Sequence, residues 1–317
     1  MLITYKTKRF KTDSLQVIAD AAEIIEEYDD KGFSLTLRQL YYQFIARDIF
    51  PEERRWTWTG RKWIRDPQGT KNADPNYKWL GGIVNDARLA GHLSWLAIED
   101  RTRSPRGESH WKNPSEIVEA AVHSYSIDKW ENQEYYLEVW VEKDALVQVV
   151  ARACRQLDLT YFACRGYVSQ SAMWRAAERF RVKANDPSNK KIILLHLGDH
   201  DPSGIDMTRD IQDRLLMFGA PAAVLRIALN MDQIEELEPP PSPAKLTDAR
   251  AKDYIAEFGD DSWELDALEP DFIMDLITKH AESWRDEKKW KAALKREAKE
   301  KGILKKAAKK IKDSMKQ

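Results

Sequence analysis

Cysteine is scarce: the 317-residue chain has two, Cys154 and Cys164. So few thiols exclude a disulfide framework, and the pair is a poor basis for a metal site. One falls in an expected helix and the other in an expected strand, so both read as small core residues. Long apolar runs are missing as well. No stretch approaches the roughly 18 residues that a membrane-crossing helix needs, and no membrane partner is expected. The N-terminal MLITYKTKRFKTDSL is basic, but it lacks an apolar run leading to a small-residue cleavage site, and a cytoplasmic protein is the expectation. There is no repeat with a period of about 20–50 residues, which sets aside solenoids and propellers. Net charge is nearly absent too, at −1 from 51 basic and 52 acidic residues.

What charge there is lies unevenly. Residues 281–317 hold 14 Lys and Arg against 6 Asp and Glu, a net of +8, while residues 1–130 carry +1, leaving −10 for 131–280. An acidic body with a basic tail argues against a simple DNA-coating protein. It suits a unit that gathers carboxylates around a cation, with nucleic acid held by other segments. The length favours two or three structural units.

Hydrophobic periodicity divides the chain. Residues 14–30 repeat apolar side chains at helical spacing and stop at Gly32. The stretch SLTLRQLYYQFIARDIF follows, with Ser34 or Thr36 as N-cap and Leu37, Leu40, Tyr41, Phe44 and Ile45 on an apolar face. On such a helix Tyr42 should point about 100° away from Tyr41 and be more exposed. Residues 51–76 read as a polar, tryptophan-bearing surface loop. Arg54, Arg55, Arg61 and Lys62 interleave there with Trp56, Trp58 and Trp63, a mixture that suits phosphates and bases but equally suits surface packing. A third helix closes near Gly91, a short strand follows at Trp95–Ile98, and then a charged turn, EDRTRSPRG. Three helices and a hairpin with a basic tip are the order of a winged helix-turn-helix. Its recognition helix would be 77–91 with Arg88 on the outer face, and its wing would carry Arg101, Arg103 and Arg106 as DNA contacts. From Gln133 strands and helices alternate as in βαβ units with a parallel sheet. KKIILLHLG is apolar throughout, as a strand buried on both faces is. The Pro-rich EPPPSPAK at 238–245 marks an exposed connection, and helices with a lysine-rich end close the chain. The expected class is α/β, α+β overall, divided into 1–112, a linker at 113–134, 135–237, and a C-terminal extension at 238–317.

Two strand ends carry chemistry. In VWVEKDAL, Glu142 follows the first strand and precedes a helix, at the carboxyl edge where α/β sheets bind ligands. In HLGDHDPSGIDM, Asp199 and Asp201 follow another buried strand. Their i, i+2 spacing in extended chain points both side chains one way, so they can share a hard cation. Magnesium takes oxygen ligands and keeps waters that phosphate oxygens can replace. Pro202 and Gly204 let the chain turn into the next helix. A lone Glu at a strand end is usually solvated, and a lone Asp-x-Asp is a common turn; both at strand ends of one alternating unit are what point to a site. His196 reads as a satisfied core residue, and His200 points away from the two aspartates. The C-terminal lysines read mainly as a solvated helix face, with phosphate contact the other reading.

Together, Glu142, Gly166 opening RGYVSQSAMWR, and DHDPSG resemble the Toprim domain, a parallel, Rossmann-like fold. The form VEK followed by D-x-D-P-x-G is similar to the A subunit of topoisomerase VI and the related meiotic double-strand-break proteins, in a compact free-standing version. LRQLYY adds an Arg-x-x-Tyr-Tyr like the one in that family's winged-helix domain. The resemblance covers roughly 34–47, 135–230 and, more weakly, the winged-helix frame between, and implies several things. Glu142, Asp199 and Asp201 would bind Mg²⁺, with Mn²⁺ as a substitute. Tyr42 would attack a phosphate of double-stranded DNA, Arg38 would offset phosphate charge, and Glu142 could serve as general acid/base. Tyr42 of one protomer would meet the metal site of another in a homodimer. The protein would be nucleoid-associated when bound to DNA, and strand passage would need a separate ATPase (B-type) subunit. The alternatives are a Toprim nuclease that uses water, and a winged-helix DNA-binding protein that cuts nothing.

Overall fold

The computed structural model describes residues 2–98, 110–185, 187, 189–220 and 222–314. Helices α1 (Thr12–Asp30) and α2 (Leu37–Ala46) open the chain. Thr36 caps α2 through a full capping box: its side chain accepts from Gln39 N–H, and the Gln39 side chain accepts from Thr36 N–H. Residues 51–76 are not the loop that their polarity suggests. A 3-10 turn at Glu52–Arg54 leads into an antiparallel hairpin of β1 (Trp56–Trp58) and β2 (Trp63–Arg65). Helix α3 (Asp74–Leu89) then packs with α1 and α2 around Ile24, Tyr28, Leu40, Phe44, Leu80 and Val84.

The strand expected at Trp95–Ile98 is reduced to a single parallel bridge between Leu35 and Ile98. Arg101, Arg103 and Arg106 lie outside the described residues. The expected linker is partly helical. Asn113 accepts from Ser115 and Glu116 N–H to cap α4 (Pro114–Ser124), with Pro114 in the first turn, where its missing N–H costs nothing.

Next comes a strand–helix alternation: β3 (Tyr135–Val141), α5 (Val147–Leu157), β4 (Thr160–Ala163), α6 (Gln170–Ala184), β5 (Lys191–Leu197), α7 (Pro202–Met217) and β6 (Ala223–Ala228). The strands form one parallel sheet in the order β4-β3-β5-β6. Side chains alternate across it as a sheet buried on both faces demands. Leu137, Val139, Val141, Ile193 and Leu195 meet α5 on one face, while Tyr136, Trp140, Ile192 and Leu194 meet α6 and α7 on the other. Both cysteines are buried, free thiols. The chain is a mixed α/β protein with a four-stranded parallel sheet.

The chain leaves the sheet through α8 (Met231–Leu237) and returns to its carboxyl edge. The Pro-rich connection pairs as β7 (Ser242–Pro243) with β8 (Asp261–Ser262), on either side of α9 (Ala251–Phe258). An antiparallel bridge between His200 and Trp263 fixes the following turn, Leu265–Ala267, beside the end of β5. Helix α10 (Pro270–Ser283) covers the α5 face, and the long α11 (Glu287–Ser314) lies against α4.

Candidate active site

Because β4 and β5 flank β3 on opposite sides, the connections leaving β3 and β5 diverge, which opens a crevice at the carboxyl ends of those two strands. Ligands of open α/β sheets bind in such a crevice. Val141 pairs with Leu197, and Glu142 N–H donates to the Leu197 carbonyl at 2.8 Å, so Glu142 leaves the sheet beside Gly198. Glu142 Oε2 accepts from Asp199 N–H at 2.9 Å. The two strand ends that the sequence singles out are therefore neighbours.

Local geometry explains the residue types in DHDPSG. A Cβ on Gly204 would stand 2.1 Å from the Asp199 carbonyl oxygen, so only glycine lets α7 start this close to the loop. Asp201 caps α7, its Oδ1 accepting from Gly204 N–H at 2.6 Å and Ser203 Oγ at 2.9 Å. Arg226, on β6, holds the loop from behind, its guanidinium donating to the carbonyls of Gly198, Asp199, Gly204 and Leu229 at 2.6–3.1 Å.

Asp199 is the most constrained of the three carboxylates. Its Oδ1 accepts from Leu265 N–H at 2.8 Å, and its Oδ2 lies 3.0 Å from Lys143 Nζ. Burial, added to by the charges of Glu142 and Asp266, pushes its carboxyl up to about 7. Glu142 is raised as well, burial again the main cause and Asp201 a contributor. Carboxylates that resist ionisation because they are enclosed together are what a cation would relieve.

Lys143 supplies part of that positive charge. Its ammonium also contacts Glu264 Oε2 at 2.5 Å and Asp266 Oδ1 at 3.1 Å. Burial opposes its charge, but Asp266, Asp199 and Glu264 outweigh burial and raise its proton affinity. Glu264 is held down at about 2: burial opposes this, and Lys143 and Arg38 overcome it. Asp266, fully enclosed, is raised by burial. Sequence reasoning missed Lys143, Glu264, Asp266 and Arg226. The signal was thin: Lys143 adjoins Glu142, and Glu264 and Asp266 repeat the i, i+2 spacing of the Asp pair, but they lie far along the chain.

Glu264 and Asp266 bring the second sequence candidate to the same crevice. Arg38, on α2, pairs with Glu264, and its Nε lies 3.2 Å from Asp266 Oδ2. Arg38 Nη2 is 3.4 Å from the Tyr42 hydroxyl. Tyr42 is not the more exposed tyrosine that helical spacing suggested, for it is 3% exposed and joins the same core as Tyr41. Burial, together with the charges of Glu264 and Asp266, raises its hydroxyl well above the usual range. Tyr41 is engaged elsewhere, accepting from Ala73 N–H at 2.7 Å and donating to Asn72 Oδ1 at 3.0 Å.

The remaining candidates sit apart. Arg88 does not project freely from α3: it donates to the carbonyls of Trp95 and Ile98 and stacks on the Trp95 ring, closing the end of the helical unit. His200 Nδ1 meets the Tyr254 hydroxyl at 2.8 Å among Tyr254, Phe258 and Trp263, away from the aspartates. His196 Nδ1 bonds Thr208 Oγ1 at 2.9 Å, but its buried Nε2 has no partner among the described residues, so it is only half satisfied there. Glu138, buried within β3, is a structural carboxylate. Arg179 grips both its oxygens, and Tyr136 and Trp140 donate to it.

Among the described residues, no three His, Cys, Asp or Glu side chains stand together as a ready cation cage. The donor chemistry nevertheless suits a hard divalent ion. Among the described residues Glu142 Oε1 has no hydrogen-bond partner and Asp201 Oδ2 meets only the exposed Lys245 at 3.7 Å, while Asp199 Oδ2 already holds a cation, the Lys143 ammonium. Neither a protein-family model nor a curated protein sequence matches the chain.

Proposed function

We propose that the protein cleaves and rejoins DNA strands with magnesium at Glu142, Asp199 and Asp201, Tyr42 acting as nucleophile. In this reading it resembles the A subunit of topoisomerase VI, with residues 135–237 as a Toprim domain and the N-terminal helices as a winged-helix domain. The carrying observation is the junction of Glu142 and the Asp199-His200-Asp201 loop at the crevice between β3 and β5, with Lys143 on Asp199. A magnesium ion bound there would stabilise charge developing on the scissile phosphate. The residues of the chain divide the remaining work. Glu142, whose second oxygen has no hydrogen-bond partner among the described residues, would exchange a proton with the leaving sugar hydroxyl. Arg38 is a guanidinium within reach of the Tyr42 oxygen and can steady a phosphate there. Attack forms a phosphotyrosyl bond and expels the sugar hydroxyl; rejoining reverses both steps.

A second reading rests on the burial of Tyr42. If that hydroxyl stays enclosed, water is the nucleophile and the protein is a metal-dependent nuclease. Labelled duplex incubated with Mn²⁺ and run on a denaturing gel separates the two. Transesterification leaves product bound to protein in wild type, and Tyr42→Phe abolishes it. Free ends made at the wild-type rate by Tyr42→Phe would establish the nuclease instead. A chain that cuts nothing under these conditions would be a DNA-binding protein only.

A further inference from the structure

The acidic and basic residues of α11 are sorted around its axis. Its three buried residues, Trp290, Glu297 and Ala308, share one side, facing the body of the protein. At about 100° per residue, Lys288, Lys295, Lys299, Lys306 and Lys310 fall within about 60° of one another on the opposite side. All five are exposed, and none forms an ion pair among the described residues. Carboxylates that could neutralise them are engaged elsewhere. Glu297 turns inward to Lys129 and Lys301, both at 2.8 Å, and accepts from Ile127 N–H. Glu300 is held by Arg296 and by the Tyr125 hydroxyl, and Glu287 by Arg285. Asp313, past Lys310 at the end of that row, is the one carboxylate on the outer face among the described residues.

We propose that this outer face of α11 binds the phosphate backbone of duplex DNA without regard to sequence. The lysine row runs straight for about 33 Å at 1.5 Å per residue, close to one helical turn of a B-form duplex, about 34–36 Å. Between and beside the lysines lie Ala292, Gly302 and the exposed Ile303, with no aromatic ring on which an unpaired base could stack, so the face matches a duplex rather than a single strand. Nor does it match a lipid surface, which calls for a broad apolar face opposite the charges; here that opposite side is spent on the protein body. The choice of DNA agrees with the proposed function, but the surface lies outside that site.

The test uses the full chain carrying Glu142→Gln, so that no cleavage intrudes, and a labelled duplex longer than two helical turns. Fluorescence anisotropy over a salt series gives the slope of log K against log salt. Replacing Lys295, Lys299, Lys306 and Lys310 together by glutamine, a helix former of similar propensity, should leave the circular dichroism unchanged. The slope should flatten by about 3–4, from roughly 0.9 per neutralised phosphate contact. The matching fourfold arginine variant should keep the wild-type slope. An unchanged slope in the glutamine variant overturns the proposal. So does an equal loss in the arginine variant, and so does charge-dependent binding to anionic vesicles with the duplex slope intact. Because the readout is binding by a cleavage-dead protein, failure of the cleavage reading leaves this result standing.

Discussion

The residue on which the crevice turns is Lys143, whose ammonium touches Asp199, Glu264 and Asp266 at once. Removing one partner of a buried charge cluster leaves the others uncompensated, at about 3–5 kcal/mol. Lys143→Met should therefore lower the unfolding midpoint markedly. Magnesium should restore more stability to that variant than it adds to wild type, since the ion binds the folded state and there meets no ammonium competing for Asp199. A thermal melt with and without magnesium checks this, and equal magnesium effects in the two proteins would contradict it. The two adjacent tyrosines should separate just as cleanly. Tyr41→Phe orphans the buried Ala73 N–H and should destabilise by about 1–3 kcal/mol while leaving DNA chemistry in place. Tyr42→Phe gives up a long contact with Arg38 and one with Glu264, a carboxylate that Lys143 and Arg38 already hold, and should melt near the wild-type temperature. Urea titration of both variants reads this difference; the reverse ranking would mean that the Tyr42 hydroxyl is the structural one.

At the scale of elements, α11 offers a pH prediction. Burial opposes ionisation of Glu297, but Lys129, Lys301 and the Ile127 N–H overcome it and hold the carboxyl at about 2, below its ordinary 4.5. A depressed carboxylate stabilises the fold fully above the unfolded value and loses that contribution as pH falls from 4.5 toward 2. Wild type should thus lose stability across that window, and Glu297→Gln, less stable at neutral pH, should lose less there. Urea midpoints measured against pH decide it. Elements with a strong period were legible in the sequence: the alternation after Gln133 and a cap at Ser34 or Thr36, of which the structure uses Thr36, could be read because local pattern sets them. The hairpin at 56–65 was not, because two three-residue strands full of tryptophan and arginine look like a decorated loop. The burial of Tyr42 was missed because α2 is covered on nearly every side, with Gln39 through Phe44 all buried. In the crevice, Glu142, Asp199 and Asp201 could be read from strand ends. Glu264 and Asp266 could not, since the His200–Trp263 bridge that delivers them is a long-range contact with no local signature.

For the molecule as a whole, the chain of contacts from Arg38 through Glu264 to Lys143 and Asp199 ties the helical unit to the sheet edge. A homodimer in which Tyr42 serves the partner's metal site makes a distinct prediction. Mixed protomers of Tyr42→Phe and Glu142→Gln, each inactive alone, should recover nicking, because one site of the mixed dimer regains both groups. A site built within one chain would stay inactive in every mixture. The cleavage chemistry rests on the carboxylates at the ends of β3 and β5 holding a divalent cation. Manganese binding followed by electron paramagnetic resonance, on the full chain without DNA, tests that most directly. One ion should bind per chain in wild type, and that binding should be lost in Glu142→Gln and in Asp201→Asn while their circular dichroism is unchanged. Wild-type manganese binding in both variants would contradict the account.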